Sequence, residues 1–153
     1  MGRQVVTPDL AKAVLRSNTT AIAATMLHRG EADSMICGSF GQYHWHLNYV
    51  TQMLANAEFS PAGALSLVIL DEGPLFVADT HVNVEQTPET LARTVLAAAR
   101  HVRRFGTEPK IALCSGSQFG NLDSRSGRVM RAALEILNSE AQDFEYEGEM
   151  QAD

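Results

Sequence analysis

The chain has 153 residues, with 12 basic and 18 acidic side chains, a net charge of −6, and 45% hydrophobic against 20% charged residues. That length is one domain or a piece of one, and the composition supports a buried core, which excludes a disordered tail. Ten of the twelve cations are Arg, but the acidic balance gives no global nucleic-acid or anionic-membrane footprint. No apolar run approaches the roughly 20 residues of a membrane-spanning helix, and no charged-then-apolar signal pattern opens the chain.

In chain order, Thr7-Pro8-Asp9 is a helix start: a hydroxyl N-cap, Pro at the first helical position and an acid in the first turn. Ala11, Val14, Leu15, Asn18, Ile22, Thr25 and Met26 then fall on one face, which predicts a single helix ending at Gly30. A short strand is expected at 34–37 and a weaker helix at 44–56. Strands at 65–70 and 75–78 are joined by Asp71-Glu72-Gly73-Pro74, which is hairpin turn chemistry. Thr87-Pro88-Glu89 starts a second strong helix, with Leu91, Val95, Ala98, Ala99 and Val102 on one stripe and Gly106 as its stop. A strand at 110–114, a helix at 126–138 and a strand at 144–147 follow. The alternation predicts an α/β fold with a mostly parallel sheet covered by helices. The two cysteines, Cys37 and Cys114, end apolar runs, so buried free thiols in a reducing cytoplasm are expected.

Three segments carry polar groups where chemistry is usual in such folds, beyond the carboxyl ends of strands. The loop Ser115-Gly116-Ser117-Gln118-Phe119-Gly120-Asn121 has the small residues and hydroxyls of a phosphate cradle, its backbone N–H groups free to face outward, with Arg125 and Arg128 just beyond. It matches neither a Walker A loop nor a dinucleotide fingerprint. An ordinary strand-to-helix loop is the plain alternative. The segment Ala78-Asp79-Thr80-His81-Val82-Asn83 offers Asp79 and Asn83 either to a ligand or merely to its own turn. His44 and His46 diverge on a helix and have no acid or thiol nearby to complete a metal set. Tyr43 and Trp45 flank a ring or pack as an aromatic pair. The cations Arg93, Arg100, Arg103 and Arg104 form a solvated helix face or meet a partner subunit. No nucleophile elbow and no activated cysteine is present, so no catalytic residue is assigned.

Taken together, several stretches resemble the phosphate acetyl/butyryltransferase family, in the version fused to the C-terminal side of bacterial NADP-dependent malic enzymes. They are Gly30-Glu31-Ala32-Asp33-Ser34-Met35-Ile36-Cys37-Gly38, Ala78-Asp79-Thr80-His81-Val82-Asn83, Arg103-Arg104-Phe105-Gly106-Thr107-Glu108-Pro109-Lys110, Ala112-Leu113-Cys114-Ser115-Gly116-Ser117-Gln118-Phe119-Gly120 and Glu147-Gly148-Glu149-Met150-Gln151-Ala152-Asp153. The resemblance implies a three-layer α/β/α sandwich like the core of the isocitrate-dehydrogenase-like phosphotransacetylase fold. It implies one domain fragment over 1–153, without internal boundary and truncated at its C-terminus. Active members look like Ser-Phe-Ser-Thr-Lys-Gly in the loop after 110–114, whereas this chain has Gln118 and Phe119 in place of Thr and Lys.

The family's catalytic Ser-Arg pair and Asp are expected beyond Asp153. The resemblance therefore implies a regulatory module that senses acetyl-CoA or a related acyl-CoA, forms a homodimer or higher homo-oligomer, and needs no cofactor itself. NADP and a divalent metal would belong to a separate N-terminal malic-enzyme region. The acyl-CoA contacts expected with that resemblance are Ser115, Ser117, Gln118, Gly120, Asp79, Asn83, Arg125 and Arg128. The alternative is an acyltransferase proper, moving an acyl group between phosphate and CoA; a dimerisation platform with a degenerate cleft is a third reading.

Overall fold

The computed structural model describes residues 7–54, 63–83 and 85–152. Two compact units are distinguished, Met1–Ala62 and Gly63–Asp153, and each has its own internal logic.

The first unit is helical: α1 (Pro8–Ser17), α2 (Thr19–His28) and α3 (Tyr43–Leu54). The single helix expected from residue 7 to Gly30 is two helices. Asn18 leaves the helical region at φ −122° and ψ 103°, and its side chain caps α2 by accepting from the Ala21 N–H at 3.0 Å. The sequence Ser17-Asn18-Thr19-Thr20 is rich in side chains that compete for backbone hydrogen bonds, which is why the break falls there. Beyond the break the buried side shifts to Thr20, Ala21 and Ala24, and Ile22 and Met26 of the expected face are exposed. Residues 34–38 form no strand; Ile36 is fully exposed and the segment has no neighbour to pair with among the described residues. The last two residues of the helix expected at 44–56 lie outside the described residues.

Buried His46 ties α3 to α2. Its Nδ1 lies 2.7 Å from Thr20 Oγ1 and its Nε2 2.6 Å from the Phe40 carbonyl oxygen. A carbonyl only accepts, so Nε2 carries a proton and, in the neutral ring, Nδ1 accepts from the threonine hydroxyl. Both ring nitrogens are thereby occupied. Thr20→Val removes that donor and leaves a buried acceptor unpaired, which is expected to cost about 1–3 kcal/mol, read as a lower urea midpoint with an unchanged slope.

The second unit holds β1 (Leu65–Leu70), β2 (Gly73–Ala78), α4 (Pro88–Arg103), β3 (Lys110–Cys114), α5 (Arg125–Asn138) and β4 (Glu145–Met150). The hairpin forms as expected, with Leu70 opposite Gly73 and Leu65 opposite Ala78. β3 and β4 pair in parallel across the α5 crossover. The sheet is thus two ladders, β1-β2 antiparallel and β3-β4 parallel, rather than one mostly parallel array among the described residues. α4 begins as expected, and α5 begins at Arg125, one residue before the expected start. Thr87 closes a capping box with Thr90 at the head of α4, and Ser124 caps α5 through the Gly127 N–H. Gly106 follows α4 at φ 75°.

The core is where the helix stripes meet β3: Ala92 and Val95 of α4, Leu113, and Ala133 and Leu137 of α5. α4 packs on α5 and touches both β2 and β3, while α5 touches β4. Arg103 locks the far end, pairing at 3.0 Å with both Asp143 and Glu108 and donating to the Asp143 carbonyl; these acidic partners raise its already high pKa. One member of the expected solvated arginine face is therefore a clamp. Both cysteines are free, as read, but exposed rather than buried. Cys37 lies in the segment that forms no strand, and Cys114 ends β3 at a cavity edge.

Candidate functional site

A cavity of about 1350 Å³ opens in the second unit. Its lining is mostly apolar, and one group of polar side chains lies past the carboxyl end of β2: Asp79, Thr80, Asn83, Gln86, Arg125 and Ser126; Thr94, Thr107, Glu108 and Lys110 line it elsewhere. The chain arrives there in a fixed shape. Asp79 has a positive φ of 53° and its carboxylate accepts from the Asn83 N–H at 3.2 Å, from Asn83 Nδ2 at 2.7 Å and from Gln86 Nε2 at 2.7 Å. Asp79 therefore ties its turn together and borders the cavity as well. Gln86 Oε1 is buried without a hydrogen-bond partner among the described residues. Arg125 reaches Glu85 at 3.4 Å in an exposed pair, so its guanidinium is free to exchange that partner for a ligand anion.

The loop after β3 has a different organisation. Its backbone N–H groups point inward. Ser117 N donates to Ser115 Oγ at 2.9 Å, Gln118 N to Asn121 Oδ1 at 2.8 Å, Phe119 N to the Glu149 carbonyl at 2.8 Å and Leu122 N to Ser117 Oγ at 3.3 Å. The centre of this web is the Glu149 carboxylate, which is 0% exposed. Its Oε1 accepts from Ser117 Oγ at 2.8 Å, Gly120 N at 2.7 Å and Arg131 Nη1 at 2.6 Å; its Oε2 accepts from Ser115 Oγ at 2.7 Å. Burial alone would raise this carboxyl, but the hydrogen bonds of Ser115, Ser117, Gly120 and Arg131 outweigh it and hold the pKa down to about 2. An internal anion occupies the cradle that the sequence offered to phosphate.

Glu149, though inside a stretch that carries the family resemblance, is not among the candidate site residues read from the sequence, and the reason is local. Along β4, Glu145 and Glu147 face solvent, and strict alternation would put Glu149 with them. The ladder pairs Leu113 with Gly148 and Cys114 with Met150, so Glu149 is the extra residue of a bulge and turns inward. The glycine at 127, opposite it on α5, completes the space: a Cβ there would collide with Glu149 Oε2.

Of the sequence-selected residues, the structure gathers Asp79, Asn83 and Arg125 around the cavity. Ser115, Ser117 and Gly120 are joined on Glu149, and Gln118 stands exposed at the loop tip beside Phe119, which is 57% exposed. Arg128 pairs with Asp123 and does not line the cavity. Trp45 packs edge-on against His46 and Tyr49, and Tyr43 against His44, so the aromatic residues pack with neighbours other than each other. Among the described residues, no group of three or more His, Cys, Asp or Glu could hold a metal ion, and no helix is long and apolar enough to cross a membrane.

Comparison with known proteins agrees with this geometry. A family profile described as phosphate acetyl/butaryl transferase matches residues 1–153. The chain is similar to the NADP-dependent malic enzymes of Escherichia coli (45% identical over 154 residues) and Salmonella typhimurium (44% over 154 residues), in each case over 100% of this chain and 20% of the relative. It thus spans one fifth of the length of these curated relatives. Among solved structures, a phosphotransacetylase from Streptococcus pyogenes superimposes with a TM-score of 0.83 at 23% identity, covering 95% of this chain and 45% of that one. That likeness shows the α/β phosphotransacetylase fold.

Proposed function

Since this chain belongs to the phosphate acetyl/butaryl transferase family, we propose that it is the acyl-CoA-sensing, dimerising regulatory part of a malic enzyme and does not itself turn over an acyl phosphate. Its relatives at 44–45% identity bear the malic-enzyme name. The observation that carries the reading is the loop after β3. An exposed amide and phenyl ring, Gln118 and Phe119, stand at its tip, with no ammonium. Of the arginines nearby, Arg131 is spent on buried Glu149 and Arg128 is paired with Asp123 off the cavity, leaving Arg125, exchangeable from its exposed pair with Glu85, at the cavity. Acyl transfer from phosphate needs cations aimed at developing charge; binding a thioester needs only a cleft with a few fixed polar groups.

In this reading the acyl-pantetheine end lies in the cavity against Asp79 and Asn83, and Arg125 takes a phosphate group of the nucleotide end. Ser115, Ser117 and Gly120 act through the loop they hold, and Gln118 meets the ligand at the tip. The effector acts by favouring one arrangement of a homo-oligomer, and about 1–3 kcal/mol of coupling suffices to change malate oxidation in the attached region. NADP and a divalent metal serve that region, in the cytoplasm. The 153 residues are one fragment of the longer polypeptide.

The test is calorimetry with acetyl-CoA on the complete gene product, alongside a coupled assay for acetyl phosphate plus CoA. Saturable binding with no acyl transfer is expected; robust acyl transfer overturns the reading in favour of an acyltransferase. Arg125→Ala is expected to weaken acetyl-CoA about tenfold, the loss of one charge-assisted contact. Arg128→Ala, off the cavity, leaves the affinity unchanged.

A further inference from the structure

The tip of the loop after β3 presents two side chains that the fold itself does not use. Phe119 is 57% exposed, and Gln118 beside it is exposed as well. Among the described residues, the Phe119 ring meets no other ring and the Gln118 carboxamide makes no hydrogen bond. A lone exposed apolar side chain is ordinary on a protein surface. This one is held in place. Phe119 has a positive φ of 47°, a conformation that a bulky side chain keeps only where its surroundings impose it.

The surroundings are the bonds of three consecutive backbone N–H groups. Gln118 donates to Asn121 Oδ1, Phe119 to the Glu149 carbonyl and Gly120 to the Glu149 carboxylate. Glu149 is fixed in turn by Ser115, Ser117 and Arg131. The backbone beneath the ring and the amide is thus ordered before any ligand arrives, which lowers the entropy lost on binding.

The two chemistries together describe a ligand. A flat phenyl face in water takes another flat ring, and stacking on an aromatic side chain is a common way to hold a nucleobase. A carboxamide sets an acceptor oxygen beside a donor NH₂, the complement of adenine's amino group and its neighbouring ring nitrogen. Neither group suits a phosphate, which calls for cations, and a pantetheine arm has no flat ring to offer. Arg125, the exchangeable cation at the cavity, opens α5, the helix into which this loop leads.

We propose that Phe119 and Gln118 form a base site for the adenine of the nucleotide end, the ring stacking on its face and the carboxamide bonding its edge. The proposal rests on the acyl-CoA reading above and deepens it: the loop tip selects an adenine nucleotide thioester over a bare acyl-pantetheine.

Calorimetry on the complete gene product, with acetyl-CoA and acetyl-pantetheine as the two probes, tests this. Phe119→Ala removes the ring without the backbone freedom that glycine would add. It is expected to weaken acetyl-CoA about tenfold, the loss of one stacked base, and to leave both acetyl-pantetheine binding and the ligand-free melting temperature unchanged. Phe119→Tyr, which keeps the ring, is expected to bind acetyl-CoA as the native protein does. Undiminished acetyl-CoA affinity in Phe119→Ala overturns the base site and leaves the acyl-CoA reading standing. Equal losses for both probes also overturn it, because the effect then belongs to the loop and not to the base. So does a lower ligand-free melting temperature, because the ring is then covered by another part of the protein or by a second copy. Absence of acetyl-CoA binding in the native protein overturns the underlying reading, and the base site with it.

Discussion

Glu149→Gln is expected to remove most of the acid limb of this protein's stability curve while leaving its fold at neutral pH in place. The folded carboxyl has a pKa of about 2 against 4.5 for the free group. A group whose pKa is depressed by folding contributes stability that is fully present above the unfolded value and is lost as pH falls through the folded one. The native protein should therefore weaken between pH 4.5 and about 2, and the Gln variant should lose most of that slope, keeping the part owed to Glu89, whose carboxyl the Thr87 side chain also holds below its usual value. The amide is nearly isosteric. Its oxygen keeps the bonds from Ser117, Gly120 and Arg131, and its NH₂ meets Ser115 Oγ, which turns its own proton to the Ser117 carbonyl at 3.2 Å.

Glu149→Ala is different in kind: Ser115, Ser117, Gly120 and Arg131 all lose their acceptor at once in a closed space, and cooperative melting of the second unit is expected to disappear. Thermal unfolding from pH 2 to 7 distinguishes the two variants. An acid limb undiminished in Glu149→Gln would place the main titrating group elsewhere.

The elements legible in the sequence were those whose signals are local. Thr7 and Thr87 cap helices because their side chains reach the backbone three residues on, and Asp71-Glu72-Gly73 turns a hairpin whatever surrounds it. Where the outcome depends on a neighbour distant in sequence, no local signal announces it. Residues 34–37 look like a strand, yet no strand lies beside them among the described residues. The Ser115–Asn121 loop looks like an anion cradle, and in composition it is one. Its anion comes from 28 or more residues further along the chain, through a bulge that no periodicity announces. Asp79, Asn83 and Arg125 were legible as polar groups past strand ends, and the cavity joins them. Arg128 carried the same signal three residues later, but a different face of α5 took it to Asp123.

Gly127→Ala is the second change with a large expected effect, and two opposing terms decide it. In an α-helix, Ala is favoured over Gly by about 1 kcal/mol, and Gly127 sits in the first turn of α5. Against this, an added Cβ would lie 3.0 Å from Ser124 Oγ and 3.1 Å from Glu149 Cδ, and in collision with Glu149 Oε2. A free glutamate would swing aside at little cost. This one is held by Ser115, Ser117, Gly120 and Arg131, so retreat breaks the web, and retreat from Ser124 breaks the helix cap. Overpacking of this kind costs about 1–3 kcal/mol and more where the neighbour is pinned, so the clash outweighs the propensity gain. A net destabilisation of about 2 kcal/mol is expected from denaturant midpoints. If the collision is the cause, the loss shrinks in the background of Glu149→Asp, whose shorter side chain withdraws from the added methyl group, and the two changes show favourable coupling in a double-mutant cycle. Additive losses would show instead that Gly127 is needed for its backbone alone, and that the carboxylate web yields more readily than its closed geometry implies.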